Sequence, residues 1–133
     1  MFENIEIFTS AYWHPKVKKS VNEGNAIAVG ITLYPNKQDY GYRLSGYIPE
    51  LAPDRKLFPI NDLDSFEQPF HKLLSQKWDV ASRKLDRLAL LNPSKAIILL
   101  CFDKVTEDPK DWCHRTVVGD FIYEQIGKRV TEL

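Results

Sequence analysis

The chain of 133 residues has the length of a single domain, which we place over residues 1–133. Its content of 44% hydrophobic and 27% charged residues is enough for a core and excludes disorder of the whole chain. Eighteen Lys and Arg balance eighteen Asp and Glu, and this neutrality argues against a generally basic nucleic-acid coat and against a polybasic membrane anchor.

The first predicted element is a strand over Ile5–Thr9, where apolar and polar residues alternate. A second strand follows over Ala26–Leu33, whose almost continuous apolar run is typical of a strand buried on both faces of a parallel sheet. Between Pro35 and Pro59, four prolines predict a long irregular connection, and such segments are often functional or mobile.

The remaining elements are mainly helical. We expect a helix near Asp64–Gln76, in which Pro69 requires a late start or a kink, and a second over Asp79–Leu91. The run Ala96–Phe102 predicts a third buried strand, and Thr116–Ile126 carries the apolar stripe of a final helix. Strands alternating with helices predict an α/β fold, three-layer α/β/α-like with a mainly parallel sheet.

Signals for membrane insertion, secretion, metals and cofactors are weak. The longest strongly apolar run has seven residues, whereas a membrane span needs ~20. The opening MFENIEIFTS lacks the cationic start and apolar core of a signal peptide, so we expect a cytoplasmic protein with no membrane contact. No metal and no cofactor are expected, because the scattered histidines and two cysteines show no ligand spacing and no glycine-rich phosphate loop is present: His14, His71, His114, Cys101 and Cys113.

The strongest candidate site lies between the third strand and the final helix. The strand ends at Cys101-Phe102-Asp103, and the helix opens near Trp112-Cys113-His114-Arg115. Ligands of α/β folds bind where the carboxyl end of a strand faces a helix N-terminus. The unpaired amides of the first helical turn favour an anion there. We therefore expect a site for a small anion, such as a nucleotide or a phosphate ester.

Each residue of this site has a chemical and a structural interpretation. Cys113 is a candidate thiolate nucleophile, with His114 and Asp103 in proton transfer and Arg115 as a fork that binds the anion. Alternatively, Cys113 is a small core residue and Arg115 binds a loop carboxylate such as Asp103 or Asp111.

Further ligand-binding candidates end the other strands. Ser10, Tyr34 and Cys101 would share one edge of the sheet if the strands are parallel neighbours. Alternatively, Ser10 only caps the following segment. A lasting disulfide between Cys101 and Cys113 is not expected, because cytoplasmic thiols stay reduced and redox pairs have closer spacing.

Tyrosines and basic residues interleave after the first two strands, between Ser10 and Arg43. Such a pattern can stack bases and bind phosphates, which makes a non-catalytic nucleic-acid or nucleotide-binding module the alternative function. The competing interpretation is that the tyrosines pack against their own loop. A phage- or defence-associated protein-interaction domain is a further alternative, and the sequence leaves the oligomeric state open.

The sequence LLCFD, followed after a loop by CHR and an amphipathic helix, resembles the bacterial and phage domain-of-unknown-function family 488. The resemblance implies an α/β fold and a Cys-His-Arg site rather than a particular reaction. Two features differ from the family pattern: Asp103 replaces a frequent Glu, and the loop 104–112 is longer. The matching residues are Leu99, Leu100, Cys101, Asp103 as the acidic residue behind the strand, Cys113, His114 and Arg115, together with Thr9-Ser10, Tyr34-Pro35 and Leu51-Ala52-Pro53.

Overall fold

A computed structural model describes residues 2–102 and 112–133. Its described elements form a five-stranded, entirely parallel sheet and three α-helices. The strands are β1 Ile7–Ala11, β2 Ala26–Gly30, β3 Leu44–Tyr47, β4 Ala96–Cys101 and β5 Thr131–Glu132, in the spatial order β3-β2-β4-β1-β5. The helices are α1 Pro15–Asn22, α2 Leu63–Leu91 and α3 His114–Ile126, with short 3-10 turns at Phe2–Asn4, Pro49–Leu51 and Arg55–Leu57.

Different helices cover the two faces of the sheet, which gives three layers and confirms the predicted fold class. On one face, Val17 of α1 belongs to the same buried cluster as Ile98 of β4. On the other face, Leu85 of α2 and Phe121 of α3 belong to the cluster that contains Leu99. Because β4 lies between β1 and β2 and is buried on both sides, its sequence is apolar throughout.

The register of the three central strands aligns their carboxyl ends at one edge. Leu100 of β4 is opposite Ser10 of β1 and Gly30 of β2. The alignment continues past the strands, because the amide of Ile31 donates to the carbonyl of Leu100 at 2.9 Å and the amide of Tyr12 to that of Cys101 at 3.1 Å. The chain segments that leave this edge therefore start side by side.

Where two helices were predicted, the structure has one helix, α2, of 29 residues. Its buried residues recur at helical spacing across the expected break, from Phe66 and Phe70 to Ala81 and Leu85. Pro69 lies on the exposed side of α2, so water can reach the carbonyl that loses its hydrogen bond. The predicted division into two helices is therefore wrong. A late start at Pro69 is also wrong, because α2 begins at Leu63, after a cap in which the Asp62 carboxylate accepts from the amide of Ser65 at 2.9 Å.

The sequence did not predict α1, β3 or β5, and it placed β1 two residues too early. Helix α1 buries only Val17, and β3 lies at the edge of the sheet inside the connection that was predicted to be irregular. Elements that bury so few side chains lack the apolar pattern on which the predictions rest. Within the described residues, no helix combines the length and the apolarity that crossing a bilayer requires.

Candidate functional site

The carboxyl end of β4 meets the start of α3 at the two cysteines. Cys101 is the last residue of β4, and Cys113 is the N-cap residue of α3. They are joined as a disulfide, with their Cα atoms 7.7 Å apart, and their exposed fractions are 0% and 2%. The structure thus pairs two cysteines for which the sequence predicted no lasting disulfide. Sequence spacing was misleading, because the chain leaves the sheet edge after β4 and returns to the same edge at α3.

His114 is held by the end of β2. Its Nε2 lies 2.7 Å from the carbonyl oxygen of Ile31. Since a carbonyl only accepts hydrogen bonds, Nε2 carries the proton and donates it. In the neutral ring, Nδ1 is then the basic nitrogen, and it lies 3.7 Å from Sγ of Cys113. A sulfur beside a base that a third group orients is the arrangement of an activated nucleophile.

Arg115 lies inside the protein rather than on a hollow, with 1% of its surface exposed. Its Nε donates to Oε1 and Oε2 of Glu132 at 3.0 and 3.1 Å, and its Nη2 donates to Oε2 at 2.9 Å. Its Nη1 lies 2.9 Å from Sγ of Cys101. The expected role of Arg115 as an anion-binding fork on an open site is thus corrected, because the carboxylate that it binds belongs to the protein. The loop acids Asp103 and Asp111 lie outside the described residues.

Sequence reasoning missed Glu132 and the role of Thr9. The two-residue strand β5 pairs with β1, with Glu132 opposite Thr9. The Thr9 hydroxyl donates to Oε1 of Glu132 at 2.7 Å. Thr9, Glu132 and Arg115 therefore form one polar network behind Cys101. The only sequence signal for this strand is the β-branched pair Val130-Thr131 before an acidic residue.

Ser10 does not join the cysteines. Successive side chains of a strand point to opposite faces, and Thr9 points to the α3 face, where it reaches Glu132. Ser10 therefore points to the α1 face, where it is fully buried. Its hydroxyl has no hydrogen-bond partner among residues 2–102 and 112–133, so it makes no capping contact there. The expected contribution of Ser10 to the Cys101 site is wrong because it took no account of this alternation.

Two cavities border the site and share His114. One of about 290 Å³ has Cys113 and His114 in its wall, and the other, of about 350 Å³, lies against Tyr34. The expected hollow is thus present for the thiol and the imidazole, and not for the guanidinium. The first cavity is lined by Pro53, Leu57, Phe58, Ile60, Asn61, Phe66, Trp112, Cys113 and His114, and the second by Thr32, Leu33, Tyr34, Phe58, Phe102 and His114.

Tyr34 lies at the mouth of the second cavity, where 52% of its surface is exposed. Its hydroxyl accepts a hydrogen bond from Nε of Arg55 at 2.6 Å, and the guanidinium carbon lies 5.5 Å from the ring centroid. The structure thus places Tyr34 beside a cavity and adds Arg55, which the sequence analysis did not single out. Arg55 follows the prolines of the long connection, and nothing in its local sequence marks it.

The tyrosines that suggested nucleic-acid binding pack against each other. Tyr12 stacks on Tyr40 at 5.8 Å between ring centroids, and Tyr40 stacks on Tyr42 at 6.4 Å. The Tyr42 hydroxyl donates to the carbonyl of Tyr12 at 2.7 Å. Burial raises the pKa of the Tyr12 hydroxyl to about 12 and also raises that of Tyr42. These contacts agree with the interpretation that the tyrosines pack against their own loop.

Comparisons with protein-family models, curated proteins and solved structures gave no match for this chain. The resemblance to family 488 therefore rests on the quoted residues. Three of them, Cys101, Cys113 and His114, meet at one place in the structure, and Arg115 contacts the first of these.

Proposed function

We propose that this protein carries out thiol–disulfide exchange with the Cys101–Cys113 pair, and that it is a relative of family 488. One observation supports the proposal above the others. The two cysteines are bonded at the carboxyl edge of the sheet, and one of them lies between a cavity and an oriented imidazole. The proposal extends the sequence-based hypothesis of thiol-dependent catalysis. It gives up the role of Arg115 as an anion-binding residue, since Glu132 binds this guanidinium.

Cys113 is the attacking thiol in this proposal. It lines the cavity, whereas Cys101 is fully buried behind it. As the N-cap residue of α3, Cys113 lies at the positive end of a 13-residue helix, which favours the thiolate. Nδ1 of His114 is near enough to accept the thiol proton. Cys101 then acts as the resolving thiol, and the Arg115 guanidinium beside its sulfur favours its thiolate.

The substrate is a low-molecular-weight disulfide. The Cys113 thiolate attacks one of its sulfurs, so a mixed disulfide forms and the first substrate thiolate leaves with the proton held by His114. The Cys101 thiolate then attacks Sγ of Cys113, and the second substrate thiolate leaves with the proton that Cys101 lost. The substrate disulfide is thereby reduced to two thiols, and the protein dithiol is oxidised to the Cys101–Cys113 disulfide. A second dithiol reverses these steps and restores the protein.

The lining of the second cavity indicates the chemistry of the substrate on either side of its disulfide. The wall of this cavity is mainly apolar and aromatic, and the hydroxyl of Tyr34, one of the wall residues, accepts a hydrogen bond from the Arg55 guanidinium. These groups favour a disulfide that carries an apolar or aromatic portion next to a carboxylate. A nucleotide or phosphate ester remains a prediction from the sequence, as does the cytoplasmic location.

Trapping of the intermediate tests the proposal. Reduced protein is mixed with oxidised glutathione, the reaction is quenched in acid, and the mass of the protein is measured by mass spectrometry. The native chain is expected to lose two hydrogens without retaining glutathione. Cys101→Ser, which keeps the attacking thiol, is expected to accumulate one glutathione on Cys113. Cys113→Ser is expected to react far more slowly, because its remaining thiol, Cys101, is fully buried and does not line the cavity.

His114 supplies a second test with a matched control. His114→Ala is expected to slow the first step at neutral pH by at least about tenfold. His71→Ala, which removes a histidine that pairs with Glu124 on the surface, is expected to leave the rate unchanged. Equal rates for Cys101→Ser and Cys113→Ser, or a native chain that keeps glutathione, would contradict the proposal.

A further inference from the structure

The two cysteine sulfurs and the imidazole of His114 form a set of metal ligands. We infer that the reduced protein binds one Zn²⁺ ion through Sγ of Cys101, Sγ of Cys113 and Nδ1 of His114. These three atoms all lie within 4.8 Å of one another. Two thiolates and an imidazole suit zinc, which favours sulfur and nitrogen ligands. The inference concerns the dithiol state alone and does not depend on the exchange reaction.

The spacing of the Cys113 sulfur and the His114 nitrogen agrees with a tetrahedral ion, and reduction of the disulfide frees the Cys101 sulfur to take the third position. Zinc lies about 2.3 Å from sulfur and about 2.0–2.1 Å from nitrogen, so tetrahedral angles place these ligand atoms about 3.6 Å apart. Sγ of Cys113 and Nδ1 of His114 are 3.7 Å apart. The Cα atoms of the two cysteines are 7.7 Å apart, which exceeds the roughly 4.4–6.8 Å usual for a disulfide. This backbone separation allows the two sulfurs to move apart around an ion once the disulfide is reduced.

The surroundings of the ligands also suit a metal. The proton of His114 Nε2 is donated to the Ile31 carbonyl, which turns Nδ1 towards the sulfurs and fixes the tautomer that coordinates. Arg115 donates to Sγ of Cys101, and such hydrogen bonds stabilise a bound thiolate. Among the residues that the structure describes, the charge is balanced, because two thiolates neutralise Zn²⁺ and Glu132 neutralises Arg115. A buried site with no net charge avoids the large cost of burying an unpaired ion.

The cavity gives this site an entry path and an open position. Cys113 and His114 form part of the wall of the hollow of about 290 Å³. An ion held by three protein ligands at such a wall keeps its fourth position for water or for an atom of a bound molecule. Binding displaces the protons of the two thiols and changes no oxidation state. Oxidation to the Cys101–Cys113 disulfide removes two of the ligands, so zinc and the disulfide exclude each other.

Zinc binding is measured on the full chain after reduction and removal of the reductant. ZnCl₂ is titrated in a calorimeter and, separately, in competition with a chromogenic chelator. One ion per chain is expected, with proton release that shows as a dependence of the heat on the buffer. The oxidised chain is expected to bind more weakly by more than about 100-fold, since it lacks two ligands. Titration with Co²⁺ is expected to give the sulfur-to-metal absorption of a thiolate-bound ion.

Variants decide whether these three side chains are the ligands. Cys101→Ser, Cys113→Ser and His114→Ala are each expected to lower zinc affinity by about 100-fold or more, with folding checked by circular dichroism. His71→Ala is the control and is expected to bind as the native chain does, because His71 lies on the surface against Glu124.

A reduced native chain that binds zinc no better than Cys113→Ser would overturn the inference. The Co²⁺ spectrum of the native chain keeps the test decisive if a variant does not fold. Absence of the sulfur-to-metal absorption band in the folded, reduced native chain would also overturn the inference. Failure here leaves the glutathione-trapping result unchanged, so this site and the exchange proposal are tested separately.

Discussion

The pair formed by Arg115 and Glu132 gives the most informative stability prediction. The Arg115 side chain is 2% exposed and that of Glu132 is 34% exposed. Replacing Glu132 with Ala removes three hydrogen bonds from the guanidinium and the acceptor of the Thr9 hydroxyl. The perturbation thus leaves a buried cation without one of its partners, while the backbone of β5 stays compatible with pairing.

The magnitude follows from burial. Removing one partner of a fully buried ion pair costs about 3–5 kcal/mol, whereas a fully exposed pair is worth about 0–1 kcal/mol. Because Glu132 is one-third exposed, water can partly replace its carboxylate, and we expect a loss of about 2–4 kcal/mol. For a chain of this size, that corresponds to a fall in Tm of roughly 6–16 °C. Glu132→Gln, which keeps the shape and one acceptor, is expected to lose less.

Urea unfolding and thermal unfolding, followed by circular dichroism at fixed redox state, measure this loss. The control is Asp79→Ala, which breaks the ion pair with Arg83 on the surface of α2, where the two side chains are 70% and 84% exposed. That variant is expected to lose no more than about 0.5 kcal/mol. If Glu132→Ala is as stable as Asp79→Ala, the carboxylate does not hold the guanidinium and the reasoning fails.

Three further predictions concern the sheet and its surroundings. Gly30→Ala is expected to lower the free energy of unfolding in urea by about 1–3 kcal/mol. Its Cβ would come within 2.5 and 2.6 Å of the Tyr47 ring and closer still to the Tyr12 hydroxyl. Gly46→Ala is the control and should be nearly neutral, because its Cβ meets only an ordinary contact at 3.6 Å. Burial raises the pKa of Tyr12 to about 12, so the stability that the neutral hydroxyl contributes is complete below pH ~10 and is lost as the pH rises towards 12. Thermal melts between these pH values should therefore show a smaller fall in Tm for Tyr12→Phe than for the native chain. Burial and then the charge of Glu124 raise the pKa of the Asp120 carboxyl, so the stability that the protonated carboxyl contributes is lost as the pH rises through this raised pKa. Asp120→Asn should therefore raise Tm at pH 7 and not at pH 3. Equal shifts of Tm at the two pH values would contradict this.

Buried elements could be predicted from the sequence, and edge elements could not. The runs that became β2 and β4 are apolar because helices cover both of their faces. The edge strand β3 buries none of its residues fully, and β5 has two exposed residues, so neither has a pattern. The predicted break between Gln76 and Asp79 is absent because the buried apolar stripe continues through it, from Phe70 and Leu74 to Ala81 and Leu85.

Part of the site followed from chain connectivity alone. A strand, a loop and a helix start predicted that Cys101, Cys113 and His114 would meet. The partner of Arg115 was not predictable, since Glu132 reaches it through a two-residue strand that pairs with β1, at the other end of the chain. The direction of Ser10 depends on which face of β1 meets α3, and a shift of one residue reverses it.

The midpoint reduction potential of the Cys101–Cys113 pair distinguishes an exchanging disulfide from a structural one. The chain is equilibrated in glutathione buffers of graded ratio, quenched by alkylation and weighed, while circular dichroism follows the fold. Arg115 beside one sulfur and the start of α3 beside the other stabilise the reduced pair. We therefore expect one two-electron transition between about −270 and −120 mV, the range of disulfide oxidoreductases, with the fold retained on both sides. A midpoint below about −300 mV, typical of a structural disulfide, or two thiols that never pair, would contradict the account.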